Sequence, residues 1–285
     1  MCLPGTIETV REQTEAEGAP KVDRRTAILG AAGVAVAAAF PAGALAGGGR
    51  RRGGRGKKDR VADLTHTFTE GFPVFVNGEE PERETIADYA TSGFYAQRWT
   101  FGEHAGTHMD VPGHFVPGGR LSPEITPQEL VAPIVVVDIS KRARRDPNAM
   151  VEVDDLRKFE RRHGRIPKGA LVAGDSGWAE KVDDPDEFKG GPAFPNYNFP
   201  GWSEEAAMWL VEKRDVTGIG IDTLSLDPGN SMTFPVHVNF LATDRYGIEN
   251  LAGLDRIPSR GATAYVGLIP WEEGSGGPCR VLASW

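Results

Sequence analysis

Three of the six histidines in this 285-residue chain fall in the stretch His104-Ala105-Gly106-Thr107-His108-Met109-Asp110-Val111-Pro112-Gly113-His114. With the carboxylate of Asp110, the imidazoles of His104, His108 and His114 form a donor set that suits Zn²⁺, Mn²⁺ or Fe²⁺. The spacing is not that of a helical His-Glu-x-x-His pair. Gly106, Pro112 and Gly113 interrupt helical periodicity, and Pro112 lacks the N–H that a helix interior needs. The segment reads as a strand or loop that turns sharply and brings several side chains to one point.

The other candidates are weaker. His66 closes an apparent opening strand, 61–66, and reads as a structural or pocket-rim residue. His163 sits among Arg161, Arg162 and Arg165 and reads as a solvated helix end. His237, taken alone, is isolated. Asp222 and Asp227 lie in a polar loop after a strand and read as loop-shaping residues. Ser176 has no Gly-x-Ser-x-Gly context, so it carries little weight as a nucleophile. Phe72-Pro73-Val74-Phe75 forms an apolar loop that could wall a pocket or plug the core, and Trp178 could face a pocket.

Several elements can position these groups. Residues 93–101 alternate partly and read as a strand leading to the histidine cluster. The β-branched run 131–139 reads as a buried strand. A helix is expected over 153–163, ended by Gly164. A strand follows over 170–178, then a helix after Ser203 with Glu204 and Glu205 in its first turn. Residues 217–229 read as a strand running into a loop. His237-Val238-Asn239-Phe240 is followed by a short helix, and 261–270 reads as the last strand. No internal repeat is present.

Composition narrows the function. Residues 61–285 carry 21 basic and 34 acidic residues, a balance of −13. This argues against a nucleic-acid partner. The two cysteines, Cys2 and Cys279, cannot build a disulfide framework or a cysteine-ligated zinc site.

The N-terminus reads as an export signal over 1–46. Arg24-Arg25 resembles a twin-arginine pair, a short Ala/Gly/Val run follows, and Ala44-Leu45-Ala46 is a small-x-small cleavage pattern. The run is too short and too alanine-rich for a comfortable membrane span, so no stable anchor is expected after signal removal. Residues 47–60 form a basic Gly/Arg linker, and 61–285 the functional domain. The expected location is periplasmic or extracellular, or cytoplasmic if the signal is not functional.

The pattern His104-x-Gly-Thr-His108-x-Asp110-x-Pro-x-His114-Phe115 resembles the signature of the cyclase-like metal-dependent hydrolases, which include bacterial kynurenine formamidase and isatin hydrolase. Gly220 to Asp227, and His237 followed twelve residues later by Glu249, extend the resemblance over most of 61–270. It implies that His104, His108 and Asp110 bind one metal and that Asp110, His237 and Glu249 complete a second site, with the carboxylates bridging. One or two Zn or Mn ions per chain are implied. His114 would be the general acid/base. The implied fold is mixed α/β: a swivelling β/β/α arrangement with a barrel-like, mainly antiparallel sheet and outer helices, assembled as a homodimer or homotetramer. Where kynurenine formamidases carry a substrate-stacking tryptophan, the nearest counterpart here is Phe75.

The implied activity is hydrolysis of an amide C–N bond in a small molecule, an arylformamide or a cyclic amide such as isatin. A bound metal lowers the pKa of water from 15.7 to about 7. Two alternatives share the site: a lyase or cyclase acting on a hydroxy acid or lactone, and a secreted metal- or ligand-binding protein without catalysis.

Overall fold

A computed structural model describes residues 60–285. The export-signal segment and all but the last residue of the linker lie outside the described residues. The elements are β1 (Val61–Asp63), β2 (Glu82–Ala87), α1 (Tyr89–Ser92), β3 (Ala96–Thr100), β4 (His108–Asp110), β5 (Val131–Asp138), α2 (Ser140–Ala143), β6 (Met150–Val151), α3 (Val153–His163), β7 (Leu171–Asp175), α4 (Pro185–Lys189), β8 (Gly201–Trp202), α5 (Glu204–Arg214), β9 (Gly218–Ile221), α6 (Pro235–Leu241), β10 (Tyr246–Glu249), β11 (Ala262–Leu268) and β12 (Gly276–Ser284). Residues 84–98 form a compact unit separate from the unit of 59–83 and 99–285. β2 and β3, which supply its strands, pair with each other as a two-stranded sheet.

In the larger unit a seven-stranded barrel runs β4-β12-β11-β5-β7-β9-β10 and closes through the β10–β4 pair. Four of its ladders are antiparallel (β4–β12, β12–β11, β11–β5, β10–β4). Three are parallel (β5–β7, β7–β9, β9–β10). The mixed α/β barrel with outer helices matches the expectation, and its antiparallel majority is narrow.

The parallel strands explain the β-branched run in β5. Alternation sends Ile134 and Val136 into the barrel, where they meet Met109, Ile248, Leu171, Ala264 and Val281. Val135 and Val137 point outward and are covered by Leu156 and Phe159 of α3 and Leu210 of α5. A strand buried on both faces needs apolar residues at every position. α3 begins with a capping box between Glu152 and Asp155, and Ser203 caps α5 by accepting from Ala206 N–H.

Two expectations are corrected. The last strand is not 261–270: β12 follows it and pairs with β11, β1 and β4. Gly276, Gly277 and Pro278 hide its start. Cys279, Val281 and Ala283 then alternate as its buried face. His237 does not precede the short helix but lies inside it, in α6. Among the described residues no helix is long and apolar enough to cross a membrane.

Candidate active site

β4 and β10 run side by side, with His108 opposite Glu249 and Asp110 opposite Gly247. Alternation buries Met109 and Ile248 in the barrel core, so His108, Asp110 and Glu249 project together on the other face. Gly276 makes room there, since a Cβ on it would lie 2.7 Å from His104 Cε1.

α6 brings the fourth ligand candidate. Pro235 occupies its first turn, and Asp227 accepts from Val236 N–H at 2.9 Å and His237 N–H at 3.1 Å. The Asp227 carboxylate also bonds His237 Nδ1 at 2.6 Å. This turns His237 Nε2 toward Glu249 Oε1 at 3.0 Å and Asp110 Oδ2 at 3.4 Å. His108 donates Nδ1–H to the Gly106 carbonyl at 2.9 Å, which leaves Nε2 facing Glu249 Oε2 at 3.2 Å and Asp110 Oδ1 at 3.3 Å. His104 approaches Asp110 Oδ1 through Nδ1 at 2.6 Å and reaches Ser275 Oγ through Nε2 at 3.0 Å. Glu103 accepts from Ser275 Oγ at 2.7 Å.

His104, His108 and Asp110 therefore form one three-ligand cluster, and Asp110, His237 and Glu249 a second that shares Asp110. The donor set passes a direct test of fit. The buried His108 Nε2 and Asp110 Oδ2 have no hydrogen-bond partner among the described residues. Two buried carboxylates ringed by imidazole nitrogens at these distances are a donor set that suits a divalent cation.

Electrostatics agree. Burial pulls the His108 pKa down, but Asp110 and Glu249 outweigh it and raise it to about 10. Burial likewise opposes charge on His237, yet Asp110, Asp227 and Glu249 raise its pKa well above the usual value. Asp110 lies well below the ordinary carboxylate range, because its histidine neighbours overcome burial.

His114 stands apart from the ligand clusters. Its ring stacks on His104 with centroids 3.7 Å apart, and its centroid lies 6.0 Å from that of His237. Burial, with His104 and His237, lowers its pKa to about 4, against the pull of Asp110 and Glu249. At neutral pH the imidazole is uncharged and able to accept a proton. A cavity of about 330 Å³ opens over these groups and is lined also by Phe75, Phe115, Phe234 and Glu79. Among the described residues its lining contains no lysine or arginine.

Phe75 thus reaches the cavity. Trp178 does not: it packs with Phe188, Tyr197, Phe199 and Leu224, and its Nε1–H donates to the Phe188 carbonyl at 2.7 Å. A large indole beside a Gly-rich turn is equally suited to sealing a core. His66 lines a different cavity, with Thr65, Phe68 and Cys279. Asp222 is the loop-shaping residue expected, accepting from Ser176 N–H, Ser176 Oγ–H and Trp178 N–H. Asp227, given the same reading, also orients His237. Phe234 and Ser275 were not anticipated, because nothing in their local sequence points to the site.

The chain belongs to the family described as "Putative cyclase", whose model matches residues 62–228. Within that family it is similar to isatin hydrolase from Roseibium aggregatum, 32% identical over 241 residues that cover 78% of this chain and 90% of that protein. The solved structure of isatin hydrolase A from Ralstonia solanacearum superposes with a TM-score of 0.75 at 35% identity, covering 79% of this chain and 92% of that one. Kynurenine formamidase from Erythrobacter litoralis is 25% identical over 229 residues, covering 78% and 93% respectively.

Proposed function

We propose that this chain is a metal-dependent hydrolase of non-peptide amide bonds that opens a planar cyclic amide of the isatin type. The observation that carries the reading is the pair of ligand clusters sharing Asp110 beneath a cavity walled by phenylalanines. His104, His108 and Asp110 would hold one divalent metal, zinc or manganese, and Asp110, His237 and Glu249 a second where two are bound. Such a metal supplies Lewis acidity and hydroxide at neutral pH.

The protein's own groups do the rest. Phe75, Phe115 and Phe234 hold the substrate ring and exclude water. The neutral His114 accepts the proton of the attacking water and returns it to the leaving nitrogen. The amide C–N bond breaks and a C–O bond forms; the nitrogen leaves as an aryl amine, the new carboxyl group releases the second water proton to solvent, and both groups stay on one opened product. The lining favours an uncharged substrate over one carrying a carboxylate, since among the described residues no lysine or arginine stands there to pair it. This favours isatin over an arylformamide with an amino-acid tail. Export through the 1–46 signal and assembly as a homodimer or homotetramer belong to the same proposal.

Ring opening of isatin, followed by absorbance, tests the substrate against N-formylkynurenine. A larger kcat/KM for isatin is expected. Turnover of the formamide alone would move the protein to the formamidase reading.

A further inference from the structure

The loop that carries Phe75, residues 71–80, has no strand or helix of its own. A polar node ties it to the neighbouring 189–197 segment, with Lys189 and Tyr197 buried and Asn77 exposed. Asn77 Nδ2 donates to the Pro192 carbonyl at 2.9 Å. Asn77 Oδ1 accepts from Lys189 Nζ at 2.7 Å and lies 3.2 Å from the Tyr197 hydroxyl. That hydroxyl also reaches the Phe75 carbonyl at 2.9 Å.

Lys189 is the unusual member, because it is only 6% exposed. A buried ammonium needs close partners. Its nearest carboxylate oxygen, Glu80 Oε1, is 3.8 Å away, so Asn77 Oδ1 is the partner within hydrogen-bond range. At its buried Lys189 and Tyr197 end such a node is costly when half satisfied.

The node and the cavity wall are continuous. Tyr197 meets Phe75 edge to face, with centroids 5.4 Å apart at 88°. Phe75 packs in turn against Phe194 at 5.3 Å and Phe234 at 5.7 Å. Phe234 is held at φ 48°, a left-handed backbone that costs energy for an aromatic residue. With no lysine or arginine in the lining among the described residues, a substrate ring is placed by aromatic faces and edges, and a small displacement of Phe75 changes the fit.

We propose that Asn77, Lys189 and Tyr197 are positioning residues for the aromatic wall: they fix where Phe75 stands, and so how tightly an uncharged planar substrate is held, without touching the reacting atoms. The substrate part of this inference rests on the hydrolase reading above.

The test compares Asn77→Ala and Asn77→Asp in the full chain. Asparagine to alanine removes both halves of the node. Aspartate keeps an acceptor for Lys189 and Tyr197. Asn77→Ala is expected to raise KM for isatin roughly tenfold, the scale of one lost hydrogen bond to a charged group, with kcat and metal content unchanged. Asn77→Asp should restore most of the loss. Amide hydrogen exchange over 72–78 should quicken in Asn77→Ala and not in Asn77→Asp. An unchanged KM, or a fall in kcat together with metal content, would overturn the proposal. If Asn77→Ala does not fold, Tyr197→Phe removes only the hydroxyl and must raise KM; an unchanged KM again overturns it. If the wild-type chain does not open isatin, the hydrolase reading fails separately. The exchange comparison then decides the node by itself, with unchanged protection counting against it.

Discussion

His237 Nδ1 and Asp227 Oδ2 lie 2.6 Å apart, and both residues are buried. The same carboxylate caps the first turn of the helix that carries His237. One residue therefore fixes both the helix start and the direction in which Nε2 points. Partners of this kind typically change metal affinity 10–100-fold when removed. Asp227→Ala is expected to weaken metal binding by about that factor, with the barrel still folded. Calorimetric titration with Zn²⁺ or Mn²⁺ reads the change, and unaltered affinity would remove the orienting role.

His114 calls for the opposite outcome. It stacks on His104 but belongs to neither ligand cluster. His114→Ala should therefore keep its metal and lose turnover by roughly 10²–10⁴-fold, the range for a positioned proton carrier. Full activity in a variant that retains metal would show that the proton travels another way.

Asp175 gives a stability prediction away from the metal site. It ends β7 opposite Asp138 of β5. Burial first, then the carboxylates of Asp222 and Asp138, raises its pKa from 3.8 to about 7. A raised carboxyl pKa means that the folded state holds the proton more tightly than the unfolded one. This contribution to stability is fully present below pH 3.8 and is lost as pH rises through about 7. Asp175→Asn keeps an acceptor for Gly177 N–H and removes the charge. Its melting temperature relative to wild type should climb between pH 4 and pH 7 and then level off. A difference of the same size at pH 4 and pH 8 would contradict the assignment.

The metal cluster was legible because three of its groups sit within seven residues, His104 to Asp110, and strand alternation puts His108 and Asp110 on one face. His237 and Glu249 were not legible locally. Each lies in a largely apolar segment with no second ligand candidate at short spacing, and family resemblance alone joined them to the cluster. Asp227 reads as loop-shaping because a carboxylate before Pro228-Gly229 fits a turn, and its second task depends on a helix beginning eight residues later. The helix over 153–163 was readable from its apolar spacing and Gly164. β12 was missed because Gly276-Gly277-Pro278 carries turn chemistry, while the close approach of His104 and Trp271 is what demands glycine there. Trp178 was uncertain for a related reason, since burial in a core and exposure in a pocket favour the same side chain.

Asp110 is the residue common to both ligand clusters, so its removal tests the central claim most directly. Elemental analysis and isatin ring opening would be measured on the purified wild-type chain and on Asp110→Ala. The account predicts zinc or manganese bound to the wild type together with ring opening, and loss of both in the variant. Undiminished isatin hydrolysis by Asp110→Ala, or by wild-type protein free of metal, would contradict it.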